Sequence, residues 1–214
     1  SDRKRRTIVQ ACKYQRIVVL PKHNAAKKTI SQFFANNGTV SEIKEASSTL
    51  RNKPTRSDYA RDTNNINADY LDLFIEKLDK IVLPKAEFSA PGALLPLYLS
   101  TVKVKADLAF SLQRTARNNK LMIGAAMLRY QKGKALKEDI ARYQSAFIHG
   151  YLVETRVREG IVADPKLCIT IDVYTGEVYS APSNSVTIFK NMRAACSTIA
   201  EWWPNIKAPR GAVL

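Results

Sequence analysis

One run constrains the fold more than any other stretch: between Lys134 and about Arg158, apolar residues recur at helical spacing. Leu136, Ile140, Tyr143, Phe147 and Tyr151 keep to one seam, with Glu154 as its single charged member, and Gly160 follows as a stop. Ala68, Leu71, Ile75, Leu78 and Val82 step by threes and fours in the same way, and Pro84 closes that helix. Asn24 is placed to cap a helix over 25–37 that ends at Gly38, and Thr39 with Glu42 matches a capping box opening a helix to about Arg51. The stretches 97–118 and 120–131 read as further helix, although Val102 and Val104 weaken the start. A last helix spans about 186–202.

Strand signals are fewer. The β-branched run Ile17–Leu20 closes a strand over 14–20, and 167–180 forms a β-hairpin turning at Gly176. Asn52 to Asn67 reads as a long polar loop, and the proline-rich stretch 84–96 as a connector. The expected fold class is therefore mainly α, a helical domain with a small β element made of one N-terminal strand and a C-terminal hairpin. The organisation is a basic N-terminal arm over 1–13, a basic strand-helix-helix segment over 14–56, a helical core over 57–160, and a β-hairpin with a C-terminal helix and loose tail over 161–214. Residues 14–214 are expected to form one compact unit, long enough to bury a core without metals or disulfide staples.

Charge is the functional clue. The chain carries 34 Lys and Arg against 19 Asp and Glu, a net charge of +15. Such an excess repels itself in a folded chain unless a negative partner offsets it. Two thirds of the surplus lies in residues 1–56, which hold 13 basic and 3 acidic residues. Three clusters are candidates for phosphate neutralisation. The first is the arm Arg3, Lys4, Arg5 and Arg6. The second is Lys13, Arg16, Lys22, Lys27 and Lys28. The third is the ten Lys and Arg of 103–142 (Lys103, Lys105, Arg114, Arg117, Lys120, Arg129, Lys132, Lys134, Lys137 and Arg142), of which Arg114, Arg117, Lys120, Lys132, Lys134 and Lys137 are expected to gather at a helical hairpin turning near Gly133. Tyr14, Tyr59 and Tyr130 are candidates for base stacking, with partial burial as the commoner fate of such residues.

Catalytic patterns are scarce. The nearest Cys–His pair, Cys12 and His23, is eleven positions apart, so a zinc site is not expected. No nucleophile elbow, Walker motif or dinucleotide-binding glycine pattern occurs. His149 lies within an apolar helix and reads as a packing residue. Asp69, Asp72, Glu76 and Asp79 form one stripe, read as a solvated face in preference to a Mg²⁺ site. Cys12, Cys168 and Cys196 are odd in number and scattered, which fits reduced thiols in a cytosolic or nuclear compartment, or a virion, over a disulfide framework.

The sequence leans away from an enzyme. Its expected function is non-catalytic, sequence-tolerant binding of DNA or RNA, with no cofactor, no metal and no membrane insertion, in repeated copies as a homo-oligomer of nucleoprotein or capsid type. The alternatives are a helix-turn-helix-like regulator or mobile-element accessory protein using the helices of 25–51, and a metal-dependent nuclease using the carboxylate stripe.

Overall fold

The computed structural model describes residues 2–14 and 23–209. It is an α/β mix, half helix and one fifth strand, with six helices and seven strands among the described residues. The expectation of a mainly α chain is thereby overturned. The strand expected over 14–20 falls almost wholly on residues outside those described.

The chain divides into two compact units. The larger comprises 21–95 and 106–189, and the smaller 1–20, 96–105 and 190–214.

The larger unit is built on a five-stranded sheet of order β1-β4-β5-β6-β7. These strands are β1 (Glu87–Ser89), β4 (Phe110–Thr115), β5 (Leu121–Arg129), β6 (Ile161–Asp172) and β7 (Glu177–Ser180). β5 and β6 are parallel and the other neighbours antiparallel, with α5 (Glu138–Thr155) as the crossover between the parallel pair. Helices α2 (Asn24–Ala35), α3 (Val40–Asn52) and α4 (Asp58–Lys77) supply Ala26, Ile30, Ile43, Tyr70, Leu71 and Phe74 to a core shared with Phe110, Leu112, Ala126, Leu128, Leu167, Ile169 and Ile171 of the sheet. The alternate β6 residues turn to α5, where the Ser145 hydroxyl meets Thr170 Oγ1 at 2.9 Å.

The expected helix over 120–131 is the central strand β5. Leu, Met and Ala favour helix in isolation. Burial on both faces overrides that preference, because a strand covered twice reads as a continuous apolar run without a period of two. β4 alternates in burial from Phe110 to Leu112, the signature of a strand with one covered face. The polar stretch expected as a loop to Asn67 is helical from Asp58, with the Ser57 hydroxyl accepting the Ala60 N–H at 3.2 Å. Its polarity conceals the helix because Asn67 works as an internal cap. The Asn67 amide oxygen accepts the Ala26 N–H at 2.9 Å and so covers the start of α2, whose N-cap is His23 and not Asn24. The Thr39–Glu42 capping box forms as expected, with Glu42 accepting the Thr39 N–H at 2.7 Å.

The seam read for α5 matches its buried face only in part, since Leu136 and Tyr151 are buried but the seam positions Ile140 and Tyr143 between them turn outward. Ile140 is 47% and Tyr143 50% exposed, whereas Ala141, Ser145, Ala146, Ile148 and His149 are buried. Small residues let the helix approach the sheet closely, and Gly150 lies directly against the Phe189 ring.

The smaller unit contains α1 (Asp2–Lys13), the hairpin of β2 (Leu97–Leu99) and β3 (Val102–Val104), the later part of α6 (Ser185–Trp202), and a 3-10 turn over Trp203–Asn205. The expected helix over 97–118 is thus strand in both units, and β-branched Val102 and Val104 lie in β3. Ser100 and Ser197 share a hydroxyl hydrogen bond of 2.6 Å between the hairpin and α6. No helix among the described residues is long and apolar enough to cross a membrane.

Candidate nucleic-acid interface

The basic arm is the helix α1, and its 3.6-residue period places Arg3, Arg6, Thr7 and Gln10 on one side. Together with Asn205, Ile206 and Lys207 they line an open groove of about 450 Å³. The Gln10 amide donates to the Lys207 carbonyl at 2.8 Å, and Tyr14 Oη donates to the Ile206 carbonyl at 2.8 Å. Lys13 Nζ donates to the Trp203 and Ile206 carbonyls at 2.6 and 3.2 Å, so it fastens the 3-10 turn and is committed to structure. The Arg6 guanidinium sits 4.9 Å from the Trp202 ring centroid, which fixes its position while leaving its charge intact. Neither tryptophan is core: Trp202 is half-buried and Trp203 exposed.

Within this unit the described residues hold ten Lys and Arg against Asp2 and Glu201. Arg5 lies 3.7 Å from Asp2. Arg3, Lys4, Lys103, Lys105 and Lys207 have no carboxylate partner among the described residues. In the larger unit the corresponding balance is twenty-one against seventeen. The hairpin pairing sets exposed Tyr98 opposite Lys103 on the outer face.

The other candidates scatter across the larger unit. Arg16 and Lys22 lie outside the described residues. Lys27 is paired with Asp107, and Lys28 has no ion-pair partner among the described residues. The helical hairpin expected near Gly133 does not exist. Arg114 lies at the end of β4 and Arg117 and Lys120 in the β4–β5 turn, whereas Lys132, Lys134 and Lys137 follow the far end of β5. Nine strand residues hold these two groups roughly 26 Å apart at about 3.3 Å per residue. Arg114 pairs with buried Asp164, and Lys132 lies 3.6 Å from Asp69.

The first half of the acidic stripe is engaged internally. Arg51 Nη2 reaches Asp69 at 2.8 Å and Asp72 at 2.6 Å, and the Ser47 hydroxyl donates to Asp72 at 2.7 Å, tying α3 to α4. Burial alone would raise the Asp72 carboxyl, but the Ser47 hydroxyl and the Arg51 guanidinium hold it below its usual value. A carboxyl depressed by folding contributes its stability above its unfolded pKa and loses it as pH falls through the lower folded value. Arg51→Ala is therefore expected to cost about 0.5–1 kcal/mol at neutral pH, since these groups are nearly half exposed and screened. The difference from the parent should shrink below about pH 4, as read by urea unfolding at both pH values.

No group of three or more His, Cys, Asp or Glu among the described residues is placed to hold a metal ion. His149 packs as expected, 7% exposed, with Nδ1 3.0 Å from the Ser185 hydroxyl, and burial lowers its pKa. Tyr130 stacks on buried Tyr70 with centroids 4.1 Å apart, and His23 meets both rings edge-on. Tyr59 is exposed. Lys103 and Lys105 are grouped by the sequence with the 103–142 cluster and Lys207 with none, because only the folded unit brings 96–105 and 190–214 together with α1.

No protein-family model, curated protein or solved structure matches the chain.

Proposed function

We propose that the protein binds nucleic acid through phosphate neutralisation by its smaller unit, without reading sequence. One observation carries this reading: ten basic residues against two acidic ones among the described residues of that unit, with Arg3, Arg6 and Lys207 on a single groove. Arg guanidiniums suit phosphate oxygens because they donate in pairs from a planar fork. The Gln10 and Asn205 amides and the Thr7 hydroxyl add neutral polar groups to the same wall. A phosphate-bearing strand laid along this groove releases its condensed counterions, and that release drives association. The remaining surface of the larger unit is closer to charge balance and adds less to the field.

A fluorescence-anisotropy titration of a labelled 20-base-pair duplex across 50–200 mM salt tests the reading. If Arg3, Lys4, Arg6 and Lys207 each neutralise one phosphate, log K falls against log salt with a slope of about −3 to −4. Unrelated duplexes should compete equally. A flat plot removes the proposal.

A further inference from the structure

A second cavity, in the larger unit, is built differently. It is an open groove of about 420 Å³ lined by Ala93, Leu95, Ile123, Thr155, Arg156, Val157, Arg158 and Ile161. Its wall over 92–95 is fixed by two hydrogen bonds: Tyr151 Oη donates to the Leu95 carbonyl at 3.0 Å, and Arg156 Nη2 to the Ala93 carbonyl at 2.8 Å. The opposite wall is the paired start of β5 and β6, where Ile123 and Ile161 lie. No lining residue is acidic. The Arg156 Nε is buried and has no hydrogen-bond partner among the described residues, and a buried donor left unmatched is costly unless a ligand supplies the acceptor. Arg158 is exposed without an ion-pair partner among the described residues.

Cationic donors thus stand beside an aliphatic surface in a space the size of a small-molecule site. The Leu121 N–H donates to the Gly160 carbonyl at 2.9 Å, so the β4–β5 turn carrying Arg117 and Lys120 adjoins the Arg158–Ile161 segment. Positive charge therefore continues beyond the rim.

We infer that this groove takes one unstacked nucleotide of a single strand, its phosphate on Arg156 and Arg158 and its base against Ile123, Val157 and Ile161. Arg117 and Lys120 receive the neighbouring phosphate. A base buries apolar area against the aliphatic side chains, and an arginine plane is a face on which unpaired bases stack. The inference rests on the nucleic-acid reading above and adds a preference for unpaired strands.

Three measurements on the full chain test it. Val157→Glu and Arg158→Ala alter exposed positions, so the fold should persist, as circular dichroism will confirm. Each variant is expected to weaken a 15-nucleotide single strand at least tenfold while changing duplex affinity less than threefold. Titration with adenosine 5′-monophosphate should shift the amide resonances of 155–161, and inorganic phosphate should do so only at much higher concentration. Equal losses for single strand and duplex, unchanged affinities, or matching titrations by nucleotide and phosphate would each overturn the groove assignment. In all three cases duplex binding by the parent protein shows that the wider reading still stands. Failure of the parent to bind either polymer overturns both.

Discussion

Gly124→Ala is expected to lower the unfolding free energy by about 3 kcal/mol or more, or to prevent folding altogether. Gly124 sits in the central strand, where the β5–β6 register jumps from Ile123–Ala163 to Ala125–Cys168. The extra β6 residues bulge, and Leu167 folds back over the glycine. A Cβ at 124 would overlap the Leu167 carbonyl oxygen, carbonyl carbon and Cβ. Two of these are backbone atoms, so relief requires moving the stretch from Leu167 to Asp172, which is buried throughout. Gly133→Ala is the contrast, because its φ of +76° is strained for alanine but nothing lies near its Cβ. That change should cost about 1 kcal/mol. Chemical denaturation of both variants decides the matter, and a Gly124→Ala loss no larger than that of Gly133→Ala would contradict the packing described.

Asp172→Ala should be nearly as damaging. Asp172 is fully buried at the end of β6. Its carboxylate accepts the Leu136 N–H at 2.8 Å, the Tyr174 N–H at 3.1 Å and the Thr175 hydroxyl at 3.2 Å. It therefore ties the approach to α5 and the β6–β7 turn to one point. Truncation strands two backbone donors, each costing about 1–3 kcal/mol, for an expected total of about 4 kcal/mol in urea unfolding. Thr175→Ala removes one donor and leaves the carboxylate satisfied, so its cost should be about 1 kcal/mol. A loss below that value in Asp172→Ala would mean the anchor is dispensable.

Local chemistry was readable where a motif closes on itself. The Thr39–Glu42 box, the hairpin at Gly176 and the last helix depend on neighbours within a few residues, and the sequence shows them directly. The rest of the sheet was not readable, because β5 is dictated by partners far along the chain: β4, parallel β6 and helices on both faces. An Ala- and Leu-rich run carries no period of two when both faces are covered. The α5 seam held at Leu136 and Tyr151 and misled between them for a related reason, since close approach to the sheet selects Ala141, Ser145 and Ala146 over the bulkier Ile140 and Tyr143. Asn67, polar and buried, looks like loop until its hydrogen bond to the start of α2 is known.

The charge reading fared unevenly for physical reasons. Counting cations says how many there are; it does not say which ones face carboxylates. Lys27, Arg114 and Lys132 each acquire an acidic neighbour from another part of the chain, and Lys13 spends its donors on carbonyls. Arg3 and Arg6 remain on an open groove, joined by Lys207, which no local pattern marks.

The most direct test of the polyanion-binding account is the salt dependence of duplex affinity in a variant carrying Arg3→Ala, Arg6→Ala and Lys207→Ala. The log K versus log salt slope should become shallower than the parent's by roughly 2 to 3, with unchanged circular dichroism. A slope equal to the parent's would place the phosphate contacts elsewhere and contradict the assignment of this groove.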